Sequence, residues 1–281
     1  MSPPPAQRRT FLWALGALSG FVSGLLGVGG GLVTGPVLSA AGVPFQRAIG
    51  TAVAVVVPVA LVGVVTEILT RPENLVWWAA LFLALGGQCG AVLGGRLWNR
   101  LPERALRLLY ALLLVYAGLR SLGAFGYGAG GVAGGLLAAD PAGFDLHTAA
   151  RWGACAALGV LAGMSSTLFG IGGGVVTVPG LLFLTGGFTP HAATGTSLLA
   201  MVPTAARSYR IARRQGRIDV KLVRQLLPLA ALAAAAAVIL RNVWLAPALL
   251  ARLFGVFLIV AAAQVAAPAL RRKRSAAAAR P

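Results

Sequence analysis

The chain has 281 residues, 58% of them hydrophobic and only 11% charged, with a mean hydropathy of +0.84. No soluble core hides that much apolar surface, so composition excludes a water-soluble domain and predicts an integral membrane protein. The net charge of +18 comes from 24 Lys and Arg that mostly flank apolar runs. That is the pattern of cytoplasmic loops rather than of a nucleic-acid stripe, and it excludes nucleic acid as a partner.

Along the chain, a Pro-rich start (Pro3 to Pro5) precedes Arg8-Arg9-Thr10-Phe11-Leu12 and an apolar run. The pair of arginines is similar to a twin-arginine export signal. Cleavage there would remove one copy of a duplicated motif, so the segment is read as the first helix. Helical runs follow near residues 10–26, 31–42, 46–70, 75–98 and 102–122. A Gly-rich stretch from Gly123 to Gly143, containing Asp140-Pro141, has the composition of a linker. The series then resumes near 147–169, 174–186, 190–213, 219–241 and 247–270. These runs are too long and continuous for the alternating strands of an outer-membrane barrel. The expected fold is an all-α polytopic membrane helical bundle of roughly 8 to 10 helices. It divides into a first repeat (1–124), a Gly-rich linker (125–146), a second repeat (147–270) and a basic cytoplasmic tail (271–281).

The repeat shows in a glycine cluster that occurs twice. Gly27-Val28-Gly29-Gly30-Gly31 is followed by Pro36, and Gly170-Ile171-Gly172-Gly173-Gly174 by Pro179. Both pairs of positions are offset by 143 residues. Gly50-Thr51 and Gly195-Thr196 are offset by 145, as are Pro58 and Pro203, Pro102 and Pro247, and Arg107 and Arg252. Two homologous halves with a two-residue insertion account for this, a common plan in secondary transporters. If each glycine cluster is the tip of a re-entrant hairpin, the halves are inverted. If it breaks one crossing helix, they are parallel. Counting cations favours inversion, which leaves Arg71, Arg120, Arg151, Arg241 and Arg252 outside. Both arrangements place Arg207, Arg210, Arg213, Arg214, Arg217 and the C-terminus in the cytoplasm, and the N-terminus is assigned there too.

Three adjacent glycines are a poor choice for a continuous helix, at about 1 kcal/mol each relative to alanine. Irregular backbone at membrane depth is tolerated only beside protein or a water-filled cavity. Gly29, Gly30 and Gly31, with Gly172, Gly173 and Gly174, are therefore expected to border a cavity. There, positive φ lets successive N–H groups converge on an anion at the start of a helix. Close helix packing is the competing explanation, and it is preferred for isolated pairs such as Gly94-Gly95. Gly50, Thr51, Gly195, Thr196 and Ser197 form the next duplicated segment, whose hydroxyls either meet an oxyanion or bond a carbonyl one turn earlier. Ser23 and Ser166 precede the glycines by four residues, one helical turn.

Intramembrane charge is nearly absent. Glu67 lies close to the end of its run and is read as an interfacial carboxylate near Arg71, with Ala212 as its counterpart. His147 and His191 begin helical runs and are read as neither ligands nor relays. Cys89 and Cys155 form no CxxC pair and are read as buried inert thiols, with no disulfide and no metal. Gln88 and Gln264 bond across helices.

The pattern Gly-x-Gly-Gly-Gly, then Pro, then Gly-Thr-Ser resembles the TauE/SafE sulfite exporter family, over about 12–124 and 150–268. The resemblance implies a bacterial inner-membrane protein of about eight helices that moves sulfite, thiosulfate, sulfoacetate or similar organosulfur anions. The first half departs from the pattern with Gly50-Thr51-Ala52, which makes the two half-sites unequal.

A secondary transporter or facilitator with one central anion site is thus expected, its partners being a small anion, the bilayer and, in a homo-oligomer, further copies of the chain. Movement of another small anion or a carboxylate is the alternative. No cofactor is expected. With so few carboxylates, movement is expected to be uncoupled, or coupled through protonation of the substrate or a co-ion. An intramembrane enzyme is disfavoured: Gly163-Met164-Ser165 is loosely similar to a serine-protease site, yet no apolar run holds an activating histidine. A membrane scaffold would not need duplicated cavity-lining glycines.

Overall fold

The computed structural model describes residues 5–97, 108, 111–112, 114–116, 118–119, 122, 146–183 and 188–278. Most of the expected run 102–122, the linker at 123–145 and residues 279–281 lie outside the described residues. Nine α-helices are described: α1 (Pro5–Leu26), α2 (Gly31–Ala40), α3 (Phe45–Thr70), α4 (Trp77–Leu97), α5 (Leu146–Phe169), α6 (Gly174–Phe183), α7 (Pro190–Arg214), α8 (Val220–Trp244) and α9 (Pro247–Ala278). A 3₁₀ turn, Pro72–Asn74, joins α3 to α4. Six of the helices, α1, α3, α4, α5, α8 and α9, are long and apolar enough to cross a membrane. The protein is an all-α multi-pass membrane protein.

Local chemistry sets several helix starts. Thr189 caps α7 by accepting the Ala192 N–H, and Pro190 follows at the first position, where its missing donor costs nothing. Asp219 caps α8 by accepting from Lys221 and Leu222. At α2 and α6 no side chain starts the helix. Three positive-φ glycines turn the chain first, Gly27, Gly29 and Gly30 in one half and Gly170, Gly172 and Gly173 in the other. Only glycine takes three such conformations in four residues without strain.

Each cluster is a hairpin tip. After Gly30 the chain folds back along α1: Thr34 donates to Ser19 (2.7 Å), and Leu38 shares a core cluster with Leu12 and Leu15. In the second half, a Cβ on Gly180 would lie against the Leu158 side chain, so α6 runs back along α5. A broken but continuing helix would carry Thr34 and Leu38 away from α1, and it is excluded.

The first helix of each hairpin packs on a long helix from the other half. A Cβ at Gly16, Gly20 or Gly24 of α1 would collide with the carbonyls of Leu226, Ala230 and Ala234 in turn. Because both series ascend, α1 and α8 are parallel. Gly159 and Gly163 of α5 meet the carbonyls of Leu83 and Gly87 in the same way. Small residues let these backbones touch, which is how helices associate where lipid supplies no hydrophobic drive. Leu83 with Leu226 and Gly87 with Ala230 stand 143 apart, against the 145 offset expected downstream. α3 exits through a 3₁₀ turn and α7 through Gln215 to Asp219. Gly94 packs against Met164, as expected for an isolated glycine pair.

Candidate functional site

The two tips meet. A Cβ on Gly31 would strike the Gly170 carbonyl, and one on Gly174 would strike the Gly27 carbonyl. Between them lie Val56 of α3 and Met201 of α7, residues offset by 145. A Cβ on Gly29 would sit 2.6 Å from Met201 Sδ, and one on Gly172 would sit 2.7 Å from both Met201 Sδ and Val56 Cγ1. Met201 and Val56 went unnoticed in the sequence because apolar residues in an apolar helix carry no signal.

The tips are rich in donors that the protein does not use. Gly27 N–H bonds Ser23 O and Gly170 N–H bonds Ser166 O, closing α1 and α5. Within the described residues, the next three N–H groups in each half, those of Val28, Gly29 and Gly30 and of Ile171, Gly172 and Gly173, donate to no protein atom. Ser23 and Ser166 are fully buried, and neither Oγ has a partner. An unmade buried hydrogen bond costs about 1–3 kcal/mol per group. The two hydroxyls and six N–H groups form two matching sets, one at each tip.

The Gly-Thr segments do something else. Thr51 Oγ1 accepts the Asp219 N–H (3.1 Å), and Thr196 Oγ1 accepts the Val76 N–H (3.1 Å) while donating to Asn74 O. Each threonine thus fastens the loop before the fourth helix of the opposite half. Gly50 lets the Arg217 carbonyl approach, and Gly195 lets the Asn74 carbonyl and Glu67 Oε1 approach. Neither threonine bonds its own helix one turn back, nor does either hydroxyl aim at the tips. Ser197 does reach a tip: its Oγ donates to Gly27 O (3.0 Å) and bonds Thr177 Oγ1 (2.6 Å).

Charge is buried inside the bundle, where an interfacial Glu67 near Arg71 was expected. Glu67 and Arg241 are fully buried and form an ion pair, while Arg71 pairs at the surface with Glu73. Glu67 Oε1 also accepts from Asn74 Nδ2 (2.7 Å), Arg241 Nε donates to Asn242 Oδ1, and Arg241 Nη1 donates to Gly24 O (3.1 Å). The Gly24 carbonyl is free for this because α1 ends before residue 28 can donate to it. His191 Nε2 lies 3.2 Å from Arg241 O. The pairing escaped the sequence because α3 and α8 are 174 residues apart at these positions and both residues stand at run ends, where charge is ordinarily interfacial.

At the opposite end of the bundle, Arg96, Arg207, Arg210 and Arg214 line a cavity of about 380 Å³ between α4 and α7. Cys155 is buried as expected, but Cys89 is exposed, since the α4 face that packs on α5 is that of Gly86, Gly90 and Gly94. Gln88 does bond across helices, to Pro203 O (2.7 Å). Ser165 donates to Ala162 O within its own helix. The described residues hold no cluster of three or more metal-ligating side chains, and the side chain of His147 lies outside them.

Comparison with known proteins gives a consistent picture. The profile of the Sulfite exporter TauE/SafE family matches residues 2–121 and 155–281. A probable membrane transporter protein of Xylella fastidiosa is 34% identical over 192 residues, 66% of this chain and 67% of its own. Another of Sinorhizobium fredii is 37% identical over 111 residues, covering 38% of this chain and 43% of its own, and one of Methanocaldococcus jannaschii is 28% identical over 111 residues, covering 37% and 42%. No solved structure matches the chain.

Proposed function

Because the chain belongs to the sulfite exporter TauE/SafE family, a family of membrane transporters, we propose that it is a secondary transporter or facilitator for a small sulfur-containing oxyanion, working in the bacterial inner membrane. The observation that carries this is the matched set of buried donors, Ser23 and Ser166 with the N–H groups of Val28 to Gly30 and Ile171 to Gly173. A tetrahedral or pyramidal oxyanion presents several acceptors and no need for a donor. Sulfite, thiosulfate and the sulfonate end of sulfoacetate share that chemistry. Met201 and Val56 fill the space between the tips in this conformation, so admitting substrate requires the halves to move apart.

The hairpins also bear on topology. With α2 and α6 folded back, and with the run 102–122 taken as a crossing as the sequence predicts, each half crosses the membrane three more times and the halves are inverted. This arrangement puts Glu67 and Arg241 at one face, and Arg96 with Arg207 and Arg210 at the other, as their contacts require. The positive-inside rule then assigns the arginine-lined face and both termini to the cytoplasm.

Purified protein in liposomes, assayed for uptake of sulfite, thiosulfate, sulfoacetate and sulfate, tests the reading. Saturable uptake of at least one anion that falls on Ser23→Ala/Ser166→Ala is expected. A wild-type protein that moves none of them sinks it.

A further inference from the structure

We propose that Arg241 is a second anion-binding group beside the first hairpin tip and that Glu67 is its built-in counter-anion, so that an anion binds there only as Glu67 takes up a proton. This rests on the anion-transport reading for its flux measurements but not for its binding measurements.

Placement comes first. The Arg241 guanidinium holds Gly24 O, one residue from the orphan Ser23 hydroxyl and three from the first positive-φ glycine, Gly27. A single segment of α7 touches both the charge pair and the tip. Gly195 faces Glu67 Oε1, Thr196 holds Asn74, which donates to that same oxygen, and Ser197 bonds Gly27 O. Displacement of this segment is therefore felt by both.

Electroneutrality supplies the coupling. A buried guanidinium needs a compensating negative charge, and Glu67 provides it in this conformation. An anion arriving among the tip donors competes with the Glu67 carboxylate for Arg241. If both stayed negative, one would be left uncompensated in a low-dielectric site. Protonation of Glu67 removes the conflict. The neutral acid still accepts from Asn74, and Arg241 turns its charge to the incoming oxyanion. Proton and anion then raise each other's affinity, by the reciprocity of linked binding. Release of the anion reverses the sequence, with the proton leaving Glu67 as the ion pair reforms.

The charged and titratable neighbours are few. Arg241 faces Glu67 from α8, His191 lies against the Arg241 carbonyl from α7, and Arg71 follows on α3 but pairs with Glu73 at the surface. Asn74, Asn242 and Thr70 complete the shell as neutral groups. Among the described residues the other half shows no equivalent: Ala212 stands where Glu67 would, and Thr167, the counterpart of Gly24, bonds Ala91 O and Ser208. Coupling therefore resides at one end of the molecule.

Thiosulfate is the probe, because it takes up no proton of its own near neutral pH. In detergent, the wild-type protein is expected to bind thiosulfate more weakly as pH rises, by up to about tenfold per unit, the slope for one linked proton, and to take up a proton from weakly buffered solution on binding. Glu67→Gln keeps the side-chain shape and an acceptor oxygen; its binding is expected to be independent of pH and to take up no proton. In liposomes its flux is expected to persist but to lose its response to a pH gradient. His191→Gln is expected to keep the coupling. Should Glu67→Gln fail to fold, Glu67→Gln/Arg241→Gln restores a neutral pair, and it is expected to bind thiosulfate at least about tenfold more weakly than wild type at pH 6, the scale of one lost charged contact. Wild-type binding that is independent of pH overturns the proposal, as does pH-linked binding that survives Glu67→Gln, coupling lost in His191→Gln, or undiminished binding in the double variant. Binding without flux would refute transport and leave the linked site standing; neither binding nor flux refutes both.

Discussion

The two hairpin tips have nearly the same backbone but solve the same hydrogen-bonding problem with different hydroxyls. In the first, Thr34 donates to Ser19, which donates to Gly30 O. At the 143 offset the second tip has Thr177 and Ala162, so the Ser19 hydroxyl has no counterpart. Thr177 turns instead to Ser197, which crosses to Gly27 O of the first tip. The first half has Ala52 where Ser197 stands. Each half thus lacks the hydroxyl that the other uses, and the threonine of α2 or α6 takes whichever partner is present. The lesson is that the glycines set the shape common to both tips, whereas the hydroxyls make tip 1 self-contained and tie tip 2 across the interface. The ends of the bundle differ more strongly, one holding a buried ion pair and the other a basic cavity.

The largest expected effect breaks the contrast between the ends. Arg241→Gln strands the Glu67 carboxylate in the interior and is expected to destabilise by about 3–5 kcal/mol. Arg96→Gln, at the exposed cavity, should change stability by less than about 0.5 kcal/mol. Thermal unfolding in detergent compares them, and equal effects would mean that the ends are energetically alike. Next in size, Gly31→Ala and Gly174→Ala each drive a methyl into a carbonyl of the opposite tip, with an expected loss of about 1–3 kcal/mol or more. The two losses should be similar, because the contact is reciprocal. Tolerance of one but not the other in the same assay would show that the tips do not meet symmetrically.

Smaller effects test the hydroxyl exchange itself. Ser197→Ala removes the link to Gly27 O and is expected to cost about 1 kcal/mol. It should show a coupling energy with Thr177→Val in a double-mutant cycle, whereas Ser19→Ala should couple only to Thr34→Val. Coupling across the wrong pair would contradict the assignment. The smallest change is Ala162→Ser, which supplies tip 2 with the hydroxyl of tip 1. A shift within about 0.5 kcal/mol of wild type is expected, since Thr177 already has a partner.

Much of the fold was legible because its signals are local. Apolar length gives helices, and the expected starts at residues 31, 174, 190 and 247 fall on the observed ones, Gly31, Gly174, Pro190 and Pro247. Glycine and proline there act on the backbone directly, without help from distant residues. At the candidate site the same locality picked out Gly29, Gly31, Gly172 and Gly174, which the structure brings together around Met201. It placed Thr51 and Thr196 at the same site, where they instead fasten inter-helix loops. A threonine hydroxyl is written identically in sequence whether it bonds a ligand or a loop.

By itself, then, the sequence determined an all-helical membrane protein with two glycine-rich breaks in register, since composition and short-range backbone preference suffice for both. Tertiary structure decided the rest: that each break is a hairpin tip, that the tips touch around Val56 and Met201, and that Glu67 meets Arg241 in the interior rather than Arg71 at the surface. Those outcomes depend on which residues lie side by side after folding. Dispersion contacts and the pairing of buried charge are properties of proximity, and a linear order does not record it.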